Sequence, residues 1–160
     1  MKKYMAATLL LCGLLNAEAL SPTCHRDSDK NVVVCSEAKL GKLMWHDEEQ
    51  DFQGTWEQAK EYCEQLKFAG FEDWRLPAAD ELLSIADKNR SGSAINPAFK
   101  YAALKWHWSS TKSIENLSEA WVVHLNTGLD YWRDMSEHRF VRCVRTVSYT
   151  HLTLPTIYSV

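Results

Sequence analysis

The cysteines constrain this chain more than any other feature. Five are present, and the first, Cys12, lies in a stretch that reads as an export signal. Lys2 and Lys3 form its basic start, Ala6 to Leu15 its apolar core, and Ala17-Glu18-Ala19 a small-x-small cleavage site. A membrane-spanning helix needs about 20 apolar residues, and this run is far shorter. Residues 1–19 are therefore expected to be a signal peptide, with no membrane insertion after its cleavage. Neither Leu11 before Cys12 nor Thr23 before Cys24 is the small residue that a lipoprotein signal carries. Cys24, Cys35, Cys63 and Cys143 remain, an even number suited to an oxidising compartment, periplasmic or extracellular. Four cysteines allow three pairings.

The residues around them favour Cys24–Cys35 and Cys63–Cys143. Residues 20–38 are polar and turn-rich apart from Val32-Val33-Val34-Cys35, a short strand, and a bridge from Cys24 closes them into an N-terminal flap. Thr55-Trp56-Glu57-Gln58 fits a capping box, in which Thr55 and Gln58 satisfy each other's backbone N–H groups. From there Trp56, Ala59, Cys63, Leu66 and Ala69 recur on one helical face until Gly70 stops the pattern, so Cys63 points inward. Arg139 to Val147 has apolar residues on both faces, as a central strand does, and Cys143 lies within it. Joining Cys63 to Cys143 pins the helix to the middle of a sheet. Loop-closure entropy gives about 3 kcal/mol for the short bridge and about 4.5 kcal/mol for the long one. No CxxC or clustered Cys/His spacing points to a metal, and no cofactor is expected.

Between these anchors Asp73-Trp74-Arg75-Leu76-Pro77 makes a corner, because Pro77 fixes its own φ and pushes Leu76 out of helical space. A shorter helix, Ala79 to Asp87, follows with Leu82, Ile85 and Ala86 inward and Asp80 and Glu81 in its first turn. Lys39 to Trp45, Trp106 to Ser110, Ala120 to Leu125 and Leu129 to Arg133 read as strands, the last two joined by a turn at Asn126-Thr127-Gly128. Asp47, Glu48, Glu49 and Asp51 lack the spacing and glycine of a calcium loop and read as a solvated charge run. Residues 148–160 match nothing periodic and read as non-native read-through, the alternative being an extra edge strand.

Without Lys2, Lys3 and Glu18, 16 basic and 20 acidic residues remain, a net of −4. That balance excludes the basic excess of a nucleic-acid binder. The cations gather late, since residues 100–146 hold 7 basic and 5 acidic residues.

Seven landmarks stand in order: Leu43-Met44-Trp45, the helix bearing Cys63, Trp74-Arg75-Leu76-Pro77 with Glu81-Leu82, Ile95-Asn96-Pro97 with Phe99, Trp108-Ser109-Ser110-Thr111, Ala120-Trp121-Val122-Val123, and Val141-Arg142-Cys143-Val144-Arg145. This order resembles the Lcl C-terminal domain family of bacterial envelope proteins, over residues 39–147. The resemblance implies an α+β, C-type-lectin-like fold: two helices flanking small twisted antiparallel sheets with long loops, and a first-helix cysteine bridged to the last strand. It also implies a glycan or glycosaminoglycan as partner, since the family includes an adhesin domain that binds sulfated polyanions. The calcium tripeptides of animal C-type lectins are missing, and Arg133 of Trp132-Arg133-Asp134 puts a cation where such lectins carry a calcium ligand. The formylglycine-generating enzymes resemble this fold too, but their chemistry needs a reactive cysteine pair, and here every mature cysteine has a structural task.

Candidate residues follow. Trp45, Trp74, Trp108 and Trp121 match family landmarks and are expected in the core; Arg75, Arg142 and Arg145 are expected to bond loop carbonyls or carboxylates. Trp106 with His107, and Trp132 with Arg133 and Asp134, match no landmark. Exposed rings of this kind stack on sugar faces while their polar neighbours bond hydroxyls or sulfates, with Lys105 and Lys112 in support. His46, His107, His124 and His138 have no metal spacing and no nucleophile beside them. The expectation is a non-enzymatic binding module; the rivals are a structural or protein-interaction envelope module and, less well supported, an enzyme.

Overall fold

The structure, a computed structural model, describes residues 22–49 and 52–148. The expected signal peptide, Asp51 of the acidic cluster and all of the tail but Ser148 lie outside the described residues. What is described is a small α+β domain with two helices and two mostly antiparallel sheets.

The first sheet has the order β1-β2-β3-β9, from β1 (Thr23–Asp27), β2 (Val32–Glu37), β3 (Gly41–His46) and β9 (Val144–Thr146). Cys24 and Cys35 face each other across the β1–β2 ladder and are disulfide-bonded. The stretch read as a hairpin-like flap is a β1–β2 hairpin closed by that bridge. Its second strand is interior to the sheet, and Val32 and Val33 are fully buried.

The helix α1 (Trp56–Gln65) opens on the capping box read from sequence, with the Thr55 side chain accepting from Gln58 N and Gln58 Oε1 accepting from Thr55 N. It ends at Leu66, sooner than the periodicity suggests. Leu66 and Ala69 still pack inward, but from a turn closed by paired Phe68 and Phe71 backbone bonds, with Gly70 at φ 83°. Trp56 donates its indole N–H to the Ser109 carbonyl (2.8 Å) and Trp108 donates to the Gly54 carbonyl (2.9 Å), lashing both sides of the interface. α2 (Ala79–Ile85) follows the Pro77 corner. There Glu81 accepts the Ala78 N–H and both Arg75 terminal nitrogens (2.7 Å each), so one carboxylate caps the helix and holds the corner.

The second sheet has the order β4-β8-β5-β6-β7, from β4 (Gln53–Gly54), β5 (Trp106–Lys112), β6 (Glu119–His124), β7 (Leu129–Asp134) and β8 (Arg139–Phe140). Its one parallel contact joins β5 to β8. Alternate residues of β6 serve two cores: Ala120 and Val122 pack with α1, Trp74 and Trp108, whereas Val123 packs with α2, Trp45 and Phe99.

The expected central strand over 139–147 is two short strands in different sheets, with Val141–Cys143 crossing between them. Its apolar residues lie on both sides because the segment runs between layers, and β9 is a sheet-end strand. Cys143 lies in this crossing and is bonded to Cys63 of α1, both fully buried.

Candidate functional site

β7 ends the second sheet and is its most exposed strand, with Leu129, Tyr131 and Trp132 each more than a third exposed. It exists because the chain turns back at Gly128 (φ 68°), where a Cβ would lie 2.8 Å from the Ala86 carbonyl oxygen. Only glycine meets both demands.

Register places Trp106, His124, Tyr131 and Arg133 on one face, and Trp121 and Trp132 on the other. The rings nevertheless form one band around the β7 edge, which pairs with no further strand among the described residues. Trp106 meets His124 edge-on (5.0 Å), and the Arg133 guanidinium lies 5.9 Å from the Trp106 ring and 4.5 Å from that of Tyr131. Tyr131 stacks on Trp132 (4.6 Å, 10° between planes), and Trp132 meets Trp121 edge-on (5.4 Å). Arg133 also donates to the Trp132 carbonyl (3.0 Å), which covers an acceptor on the open strand edge. Five rings and one guanidinium are thus fixed against one another with sides left in solvent.

Lys105, exposed, lies at the Trp106 end, where its ammonium adds to burial in lowering the pKa of His124. That imidazole is held neutral and keeps the band from a further positive charge. Asp134 accepts from Ser136 N and Oγ (2.9 and 2.6 Å), which holds its carboxyl below the usual range and keeps it ionised. Lys112 stands apart, over the Trp56 ring (4.7 Å).

Two expectations about the ring residues need correction. His107 is not at the surface: it is 1% exposed, and its Nδ1 donates to the Lys105 carbonyl (3.0 Å), fixing the tautomer. Burial and the nearby Arg142 charge push its pKa down to about 3, so it is a neutral core group. Trp121 is not core but half-buried within the band. Trp45, Trp74 and Trp108 are buried. Tyr131 escaped the sequence reading, which weighed tryptophans alone; its place beside Trp132 on a hairpin strand was the available signal.

The arginines are occupied structurally. Arg145 pairs with Asp73 (2.6 and 3.0 Å) and covers Phe71, and this ion pair holds the Asp73 carboxyl below its ordinary range. Arg142 donates to the His46 carbonyl (2.7 Å), to Asp47 Oδ1 (3.0 Å) and to the Tyr101 carbonyl. Asp47 is fully buried, against the reading of a solvated run. It also pairs with Arg26 and accepts the Lys100 and Tyr101 N–H groups (2.9 and 3.2 Å). Among the described residues no group of three or more His, Cys, Asp or Glu could hold a metal ion.

Two sheets, two helices and two disulfides define a compact cysteine-stapled α+β module, and no helix among the described residues is long and apolar enough to cross a membrane. The disulfides fit an oxidising compartment. The chain belongs to the Lcl C-terminal domain family, whose model matches residues 37–145. The match begins at the last residue of β2, so most of the β1–β2 hairpin precedes it. Among curated proteins none matches the chain.

Proposed function

We propose that this chain is an exported, periplasmic or extracellular binding module of C-type-lectin-like fold, which takes a glycan or sulfated polyanion along the β7 edge rather than catalysing a reaction. The carrying observation is the stacked Tyr131–Trp132 pair with Arg133 beside it on an open strand. Flat rings offer their faces to sugar C–H groups, and the guanidinium fork matches a sulfate or carboxylate. Trp106, Trp121 and Lys105 extend the same surface. The four cysteines of the described residues are all in disulfides, which leaves the dithiol chemistry of the fold's enzymes no thiol to use.

The test is retention on immobilised heparin at low salt. Elution by added salt is expected, with retention lost in a Trp132→Ala, Arg133→Ala double variant that keeps its melting temperature. No retention of the parent protein overturns the polyanion reading.

A protein-interaction role has one observation in its favour. The β5–β6 loop presents Ile114 (97% exposed) and Leu117 (77% exposed) from a turn braced by Ser113 Oγ accepting two backbone N–H groups. Ile114→Ser with Leu117→Ser would abolish a partner interaction and leave heparin retention intact.

A further inference from the structure

The chain carries two Asn-x-Ser triplets, Asn89-Arg90-Ser91 and Asn116-Leu117-Ser118, the acceptor pattern for asparagine-linked glycans. The fold treats them differently. In the β5–β6 loop Asn116 Oδ1 accepts from Ser118 N (3.1 Å) and Ser118 Oγ (2.8 Å), so the triplet's hydroxyl is spent on its own amide. Glu119 N donates to the Asn116 carbonyl (3.0 Å) and Met135 N to the Ser118 carbonyl (2.9 Å), which fastens that triplet to the sheet. The other triplet lies in the loop after α2, outside any helix or strand. Asp87 N donates to the Ala94 carbonyl (2.9 Å) and closes the loop at its base. Residues 87–92 are all exposed. The turn is made by Asp87, whose Oδ1 accepts the Asn89 N–H (2.8 Å) and whose carbonyl accepts the Arg90 N–H (3.1 Å). Among the described residues the Asn89 side-chain amide and the Ser91 hydroxyl have no hydrogen-bond partner. Asp87 also stands two places before Asn89, where the other triplet has Ile114. An acid at that place is the further mark of acceptors used by bacterial oligosaccharyltransferases, a carboxylate for the enzyme to hold.

We propose that Asn89 is a modification site, its side-chain Nδ2 taking an oligosaccharide from an isoprenoid diphosphate carrier. The proposal rests on the reading above only for the exported compartment, where such transfer takes place. Nδ2 attacks the anomeric carbon of the first sugar, and a C–N bond forms. The bond from that carbon to the diphosphate oxygen breaks, with its electron pair leaving on the isoprenoid diphosphate. The proton displaced from Nδ2 is lost to solvent, and nothing is oxidised or reduced. The transferase takes its acceptor as an exposed, locally extended segment with the triplet's hydroxyl available. Asn89-Arg90-Ser91 meets that demand by giving up two turn bonds at Asp87, whereas Asn116-Leu117-Ser118 would have to leave the sheet. A glycan on this loop is bulky and solvated, and it touches neither core cluster.

The experiment incubates the folded, disulfide-intact protein with a purified bacterial oligosaccharyltransferase and an isoprenoid-diphosphate-linked oligosaccharide, and reads intact mass and the modified peptide. A gain of one glycan mass at Asn89 is expected. It should be lost in Asn89→Gln, in Ser91→Ala and in Asp87→Ala, and kept in Asn116→Gln. Melting temperatures equal to the parent's show that the variants fold. No addition to the folded protein, by enzyme active on a standard acceptor peptide, overturns the assignment. So does addition at Asn116, or addition only after the disulfides are reduced. The assay uses purified protein, so its result is independent of heparin retention and of export, which is read separately by fractionating cells that express the full chain.

Discussion

Asp47 is where a single atom change should do the most damage. Its carboxylate is fully buried and meets two guanidinium groups and two backbone N–H groups contributed from distant parts of the chain. Asp47→Asn removes the charge, halves the acceptor oxygens and turns an NH₂ toward existing donors. The Arg142 side chain, 5% exposed, then stays charged but loses its ion pair with Asp47. Breaking a buried pair in this way costs about 3–5 kcal/mol, a large part of the roughly 5–15 kcal/mol that holds a domain together. Arg26→Met should cost less, about 1.5–3 kcal/mol for a lost charged hydrogen bond, because Arg142 still neutralises the carboxylate. Urea unfolding with both disulfides intact gives the two values from midpoints at constant slope. A loss below about 1 kcal/mol for Asp47→Asn, or equal losses for the two variants, refutes the reasoning; the bounds follow from the same ranges.

Three further outcomes are expected. His107 is neutral in the fold, with its pKa lowered from 6.5 to about 3, so the unfolded chain takes up its proton first as pH falls. Its contribution is intact above pH 6.5 and is lost toward pH 3, at about 1.4 kcal/mol per pH unit. A His107→Asn variant should show a shallower stability loss between those limits in denaturant titrations, and parallel curves would contradict this. Cys63→Ala with Cys143→Ala should cost about 4.5 kcal/mol by loop entropy, and more than Cys24→Ala with Cys35→Ala at about 3 kcal/mol, as read from unfolding midpoints. Gly128→Ala should cost about 2–4 kcal/mol, from left-handed backbone and a forced contact with the 86–88 backbone; a melting temperature unchanged from the parent would refute it.

Much of this fold is legible locally. The capping box, the inward Cys63 and the Pro77 corner are set by neighbours in sequence, and their spacing announces them. What escapes is decided by partners far along the chain. Asp47 looks like one acid among several until Arg26 and Arg142, 21 and 95 residues away, are brought to it. Arg139 to Val147 reads as one central strand because apolar residues on both sides signal burial alone, not whether one sheet or two provide it. The candidate site was half visible. Trp132 and Arg133 stand out by composition, and they do lie on the surface. His107 beside Trp106 misleads, because neighbours on a strand face opposite sides and its side is covered. Trp121 joins the band through its cross-strand neighbour Trp132, a contact that no linear spacing records.

Ligand binding at the β7 edge is read most directly from indole and arginine side-chain resonances during titration with a heparin-derived oligosaccharide. Trp132, Trp121 and Arg133 should shift together, and the buried Trp45, Trp74 and Trp108 should stay still. Shifts that bypass Trp132 and Arg133, or an unchanged spectrum at saturating oligosaccharide, would contradict it.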